Sequence, residues 1–160
     1  MGGSEEIGGL MGHWMEGEYN NKKGFIFSGY LSLINPKIEI KDRWNCRIYS
    51  NSPQDGYSSD EYVFYADNSF ITLLNAEGEE VVDSGSYEDK GSEIILNSTE
   101  KGKFSFYKIE KVLTTKEYKS IIEKEPTIGK RLEKAYESGG DPGKEETIFQ
   151  CENMKDLEAN

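Results

Sequence analysis

The side chains best suited to covalent or metal chemistry are two cysteines, Cys46 and Cys151, and the single histidine, His13. They form no Cys-x-x-Cys pair, and their spacing does not match a zinc site or a thioredoxin-type motif. No serine in a strained nucleophile turn accompanies His13, so the sequence indicates no catalytic triad. We expect two free thiols, with Cys46 buried and inert. The alternative is a disulfide, which requires an oxidising compartment and a C-terminal segment docked on the rest of the protein.

Adjacent carboxylates, another potential source of chemistry, occur at Asp60-Glu61, Glu79-Glu80 and Glu145-Glu146. These pairs fall in turns or near the end of the chain, where acidic residues are usually solvated. The acidic residues after position 140 fail the spacing of a calcium-binding EF-hand loop. The glycines in that region lack the Lys-Ser/Thr partner of a phosphate-binding loop. The sequence therefore predicts no metal site, no cofactor and no catalytic residue.

The charge balance limits the classes of partner. The chain has 30 acidic and 19 basic residues and a formal charge of −11, which repels a phosphate backbone or an anionic lipid surface. No segment approaches the ~20 apolar residues of a membrane-spanning helix, and the start of the sequence does not resemble a signal peptide. We expect a soluble, cytoplasmic protein that binds no nucleic acid and inserts into no membrane. A signal removed earlier would change the expected compartment.

Alternation of apolar and polar residues predicts a meander of short strands. The most distinct hairpin turns at Ala66-Asp67-Asn68, where Asn68 can adopt a positive φ. Residues 51–60 have the composition of an exposed loop. The predicted strands cover residues 14–19, 25–34, 37–41, 44–48, 61–65, 69–74, 81–82, 85–87, 93–97 and 103–112.

The hydrophobic period changes after residue 113. Two short amphipathic helices, separated at Pro126, are predicted within residues 114–138. Residues 139–160 are acidic and predict a tail. The predicted organisation is therefore a lead-in at 1–11, a β-barrel at 12–113, a helical extension at 114–138 and an acidic tail at 139–160. The fold class is all-β, an antiparallel up-and-down barrel of about eight strands with one or two short C-terminal helices.

Gly12-His13-Trp14, at the start of the first predicted strand, resembles the Gly-x-Trp element of the lipocalin-like (calycin) family. The aromatic hairpin at residues 62–70 and the segment from Ser84 to Leu96 are similar to bacterial lipocalin-like domains. This resemblance covers roughly residues 12–112. It implies a barrel with one end closed by the indole of Trp14. Where that family often places an arginine over the tryptophan, this sequence has Lys108 or Lys111.

A barrel of eight strands is just wide enough to hold one small ligand. Trp14 is expected chiefly as a structural plug, beneath which Gly12 lets the chain pass closely. Seven aromatic residues are candidates for lining a ligand cavity, although ordinary core packing is the alternative for each of them: Trp14, Phe27, Trp44, Tyr62, Phe64, Phe70 and Phe104.

Three hypotheses for the function follow from these patterns. The preferred one is a non-catalytic protein that holds a small apolar or aromatic ligand inside the barrel. The alternative is a protein-interaction module or accessory subunit, with a solid barrel core and a C-terminal extension that docks on a basic protein partner. The third is an enzyme that uses Cys46, His13 or carboxylates in the barrel mouth.

Overall fold

The computed structural model describes residues 5–7, 10–12, 14–19, 21–27, 37–52, 59–75, 79–139 and 144–158. The chain divides into two compact units, Met1–Lys37 and Ile38–Asn160. Among the described residues, each unit contains its own strand pairs. No helix in the described ranges is both long and apolar enough to cross a membrane.

The first unit contains two small antiparallel hairpins. Strand β1 (Glu5–Ile7) pairs with β2 (Leu10–Gly12), and β3 (Trp14–Tyr19) pairs with β4 (Lys22–Phe27). The predicted first barrel strand, residues 14–19, is therefore not one of the eight barrel strands. A physical reason is that Trp14 shares its face of β3 with Glu16 and Glu18, which are poor residues for a barrel interior. His13 and the predicted strand residues 28–34 lie outside the described residues.

The second unit is a closed barrel of eight antiparallel strands. Each strand pairs with the next along the chain, and the last pairs with the first, so the prediction of an all-β, up-and-down barrel is confirmed. The first barrel strand follows Pro36 instead of Gly12. The strands are β5 (Ile40–Ser50), β6 (Ser59–Tyr65), β7 (Ser69–Asn75), β8 (Glu79–Asp89), β9 (Glu93–Ser98), β10 (Gly102–Ile109), β11 (Val112–Thr114) and β12 (Thr147–Asn153).

Local turn chemistry explains much of this meander. Asn68 has a φ of 65° between β6 and β7, as the Asp-Asn hairpin signal predicts. Two strands predicted at 37–41 and 44–48 form one continuous strand, β5, with an irregular register between Ile40 and Asp42. Strand β8 likewise combines two predicted strands, at 81–82 and 85–87. Its register with β7 shifts between Thr72 and Leu73.

Helices follow the seventh barrel strand, as the change of period predicts. Helix α1 spans Lys116–Lys124, α2 spans Ile128–Glu137, and a short α3 spans Met154–Glu158. The buried stripe of α1 and α2 covers the outside of the barrel. This outer apolar cluster consists of Tyr49, Val112, Ile122, Ile128, Leu132 and Ile148.

The segment predicted as an acidic tail contains the strand that closes the barrel. Strand β12 pairs with β11 on one side and with β5 on the other. Its Phe149 and Cys151 pack with the barrel interior, while Ile148 belongs to the outer cluster beneath the helices. Because both faces of β12 are covered, it lacks the polar-apolar alternation that marks a half-exposed strand. The acidic residues that flank it masked the signal of a buried strand.

The expectation of two free thiols is wrong. Cys46 on β5 and Cys151 on β12 are directly opposite each other and form a disulfide. The alternative that the sequence left open, with the C-terminal segment docked on the barrel, is the one observed. The disulfide joins two positions 105 residues apart. It therefore crosslinks the pair of strands at which the barrel closes.

We predict that reducing this disulfide lowers the free energy of unfolding by about 3–5 kcal/mol, because a long loop is released in the unfolded chain. Urea unfolding with and without dithiothreitol measures the change. In the Cys46→Ala/Cys151→Ala variant, the reductant should have no effect. Two titratable thiols in unfolded protein that had never been reduced would contradict the crosslink.

A second prediction concerns the close contact between β8 and β9. A Cβ atom on Gly85 would clash with the carbonyl oxygen of Asn97 and would lie 3.0 Å from a ring carbon of Phe70. Gly85→Ala should therefore lower the free energy of unfolding by about 1–3 kcal/mol. The neighbouring Ser86→Ala variant, at an exposed position, should stay within about 0.5 kcal/mol of wild type. Equal stability of the two variants in thermal and urea unfolding would refute this contact.

Candidate functional site

The structure separates the seven aromatic candidates into two groups. Trp14 and Phe27 contact each other in the β3–β4 hairpin, with ring centroids 5.7 Å apart. The other candidates belong to the aromatic cluster of the barrel interior or pack against it: Trp44, Tyr62, Phe64, Phe70 and Phe104. A common site lined by all seven is therefore not observed within either unit.

The centre of the barrel is filled by aromatic rings. Phe64 and Tyr87 pack edge to face at 4.8 Å, and Tyr62 and Phe106 do so at 5.0 Å. Phe64, Phe70 and Phe106 are only 2%, 1% and 1% exposed. Side chains that line a cavity of ligand size keep part of their surface uncovered, so these three rings behave as packed core.

One end of the interior carries polar groups, and we call it the polar end: Asp60, Tyr62, Asp83, Ser98 and Lys101. Tyr62 lies on β6, and Lys101 lies in the turn between β9 and β10. The Lys101 ammonium donates a hydrogen bond to the Tyr62 hydroxyl at 3.4 Å and lies 5.9 Å from the centre of its ring. The two residues thus join a surface cation to the packed aromatic core.

Asp83 anchors the turn that carries Lys101. The Ser98 hydroxyl donates to its buried carboxylate, whose two oxygens lie 2.8 and 2.6 Å from the hydroxyl oxygen. The Ser98 hydroxyl oxygen in turn accepts from the backbone N–H of Lys101 at 2.7 Å. These bonds fix the start of the Lys101 side chain, which then reaches the interior. Asp83 therefore acts here as a structural hydrogen-bond acceptor.

The charges at the polar end act on one another. Burial raises the pKa of the Tyr62 hydroxyl, and the positive charge of Lys101 opposes that rise. For Lys101, partial burial alone lowers the pKa, but Tyr62, Asp60 and Asp83 outweigh it and raise the pKa. Near neutral pH the pair is thus a neutral phenol beside a charged ammonium, and both can donate hydrogen bonds.

Next to the polar end lies a partly exposed apolar surface, the apolar rim: Ile48, Phe104 and Phe149. Phe104 and Phe149 are both half-buried and flank the core ring of Phe106, at centroid distances of 5.5 and 6.1 Å. Ile48 pairs with Phe149 across β5 and β12 and is 53% exposed. The rim therefore offers uncovered carbon surface continuous with the packed core.

The buried indole of the barrel wall belongs to Trp44. Trp44 pairs with Asn153, the last residue of β12, and its Nε1 has no hydrogen-bond partner in the described part of the chain. Cys46, two residues further along β5, is held in the disulfide and has no thiol with which to act as a nucleophile.

Several residues of this site escaped the sequence interpretation. Lys101 resembles any turn lysine, because only the folded barrel brings it to Tyr62. Phe149 was assigned to the predicted tail, and Asp83 was not singled out. The one available signal was the run Thr147-Ile148-Phe149-Gln150-Cys151, whose composition is typical of a strand. Among the described residues, no group of three or more His, Cys, Asp or Glu residues could hold a metal ion.

We predict that Lys101→Met raises the pKa of the Tyr62 hydroxyl, because it removes the cation that lowers this pKa and retains the burial that raises it. The absorbance of tyrosinate follows the ionisation of the tyrosines as the pH rises. Subtracting the titration curve of the Tyr62→Phe variant leaves the part that is due to Tyr62. In the folded protein the pKa of the Tyr62 hydroxyl already lies above its ordinary value. The folded state therefore favours the neutral phenol. Ionisation of Tyr62 leaves the free energy of unfolding unchanged below pH ~10 and lowers it as the pH rises further. Lys103→Met, at an exposed lysine on β10, should leave the titration of Tyr62 unchanged. If Lys101→Met also leaves it unchanged, the contact is refuted.

No protein-family model matches the chain, and comparisons with curated proteins and with solved structures likewise find no match.

Proposed function

We propose that the barrel is a non-catalytic binding protein for a small aromatic or apolar ligand, seated on the apolar rim with a hydrogen-bond acceptor directed at Tyr62 and Lys101. The observation that supports this proposal most directly is the contact between the Lys101 ammonium and the Tyr62 hydroxyl. This contact lies beside the partly exposed rings of Phe104 and Phe149. Such a combination of apolar surface and a few convergent polar groups is typical of small-molecule sites.

The packing of the interior supports a site at this end and argues against one at the centre. The rings of Phe64, Phe70 and Phe106 are almost fully covered, so a ligand among them would have to displace core packing. On the rim, by contrast, Ile48 is more than half exposed. A ligand there would bury apolar surface, which contributes about 25 cal/mol per Å².

The charges favour an uncharged ligand with an acceptor such as a carbonyl oxygen. Lys101 offers a positive charge, but Asp60 and Asp83 already raise its pKa and would repel an anion. A neutral acceptor can take a hydrogen bond from the ammonium or the phenol without that repulsion.

The up-and-down architecture supports the resemblance to lipocalin-like proteins, and kinship with that family is part of the proposal. The Gly12–Trp14 element no longer supports it through the barrel, because its strand lies in the other unit. The disulfide favours an oxidising compartment over the cytoplasm that the sequence suggested.

The alternative, a solid interaction module with a docking tail, has weaker support. The packed rings agree with a solid core. Its proposed docking element, however, contains Thr147–Asn153, which is a barrel strand with partners on both sides. That segment is not free to bind a separate protein.

The site is tested by titrating the protein with N-phenylnaphthylamine, an uncharged aromatic probe whose fluorescence increases in apolar surroundings. We expect saturable binding, and about tenfold weaker binding to Ile48→Glu because that variant places a charge on the rim. The matched control is Ile121→Glu, at an exposed position of α1, which should bind like wild type. Absence of saturable binding, or equal weakening in the two variants, would overturn the proposal.

A second titration tests the polar half of the site. Benzophenone, which carries a carbonyl acceptor between two aromatic rings, should displace the probe from the wild-type protein. Displacement from Lys101→Met should need about tenfold more benzophenone, corresponding to the loss of one hydrogen bond to a charged donor. Identical displacement from Lys101→Met and Lys103→Met would remove Tyr62 and Lys101 from the proposed site.

A further inference from the structure

A second concave site lies on the outside of the barrel, between strands β11 and β12 and the start of helix α2. It is a cleft of about 310 Å³ whose apolar lining includes Ile109, Val112 and Pro126. This volume is at the lower end of the range for small-molecule sites. The cleft shares no residue with the polar end or the apolar rim, so it is independent of the function proposed above.

A buried acceptor contributes to the cleft. Gln150 on β12 is 2% exposed, and its Oε1 has no donor in the described part of the chain. The amide lies against the first turn of α2, since a Cβ atom on Gly129 would be 2.9 Å from that oxygen. A buried acceptor without a donor costs about 1–3 kcal/mol. A ligand that carries an N–H or O–H group would satisfy it.

The first turn of α2 offers donors and positive charge. Its N-cap residue, Thr127, makes no side-chain capping bond, and the turn contains no acidic residue. The backbone N–H groups of Gly129 and Lys130 have no acceptor within the described ranges. Thr127 and Lys130 both line the cleft. A helix N-terminus with unpaired N–H groups and a nearby lysine favours an anionic group such as a carboxylate.

The barrel wall opposite this turn is acidic. Glu152 on β12 lines the cleft and pairs with Val112 of β11. No ion pair links Lys130 or Glu152 to any described residue. Charges of both signs continue around the opening, at Glu110, Lys111 and Asp156. The cleft is therefore polarised, with a positive helix start on one side and a carboxylate on the other.

We propose that this cleft binds a small zwitterion of the α-amino acid type with an apolar side chain. The ligand carboxylate faces the backbone N–H and the side-chain ammonium of Lys130, which lines the cleft. Its own ammonium donates to Gln150 Oε1 and is attracted by Glu152, while its side chain packs on Val112. Glu152 repels a simple anion, and Lys130 repels a simple cation. A ligand with only a carboxylate or only an ammonium group should therefore bind more weakly than the zwitterion.

The proposal is tested by following backbone amide resonances in nitrogen-15 correlation spectra during titration with L-leucine. We expect saturable shifts at the amides of Gly129 and Lys130. Isocaproate lacks the ammonium and isoamylamine lacks the carboxylate, so each should bind at least about tenfold more weakly than leucine. No saturable shift with leucine, or equal binding of either half molecule, would overturn the proposal.

Variants separate binding from folding. Lys130→Gln and Gln150→Leu should each weaken leucine binding about tenfold, whereas Lys134→Gln, at an exposed lysine later in α2, should not. Gln150→Leu should remain folded, because it replaces an unsatisfied buried amide with an apolar side chain. Ile48→Glu should bind leucine normally, since its effect is confined to the apolar rim. Undiminished binding to both Lys130→Gln and Gln150→Leu would contradict the assigned contacts.

Discussion

Pairing of β12 with β5 is the interaction on which the rest of the structure depends. The register runs from Thr147 opposite Ser50 to Asn153 opposite Trp44. Without it the sheet would have two open edges, and unpaired backbone groups there would face water or another chain. With it, all eight strands have two neighbours. The disulfide then crosslinks the same strand pair, so the closure is held by both backbone hydrogen bonds and a covalent bond.

The alternation of β12 also explains why two candidate sites occur in one small barrel. Phe149 points inward and extends the aromatic core to the apolar rim, whereas Gln150 points outward and lies beneath helix α2. One strand thus contributes to both surfaces through adjacent residues. The inner site is mainly apolar with a donor pair at its edge. The outer site is polarised, because the positive start of a helix faces a carboxylate of the barrel wall.

Sequence patterns predicted the meander, the Asn68 turn and the two amphipathic helices, because each of these depends on neighbouring residues. They failed where the outcome depends on distant partners. Trp14 was expected in the barrel because of a short motif, although Glu16 and Glu18 share its face. Strand β12 was missed because it is buried on both sides and flanked by acidic residues. Lys101 reaches Tyr62 only after β6 and the turn between β9 and β10 are assembled, and no local pattern encodes that approach.

The position of β12 in the chain has a consequence for biosynthesis. Cys46 and Cys151 lie 105 residues apart, so a ribosome completes β5 long before its closing neighbour exists. Until then, the nascent sheet can only grow as an open curved ribbon with β5 at one edge. Long-range pairings of this kind fold slowly, and an exposed edge strand invites pairing with another chain. The cysteine pair can be oxidised only after Cys151 has been synthesised, so the crosslink forms late in the production of the chain.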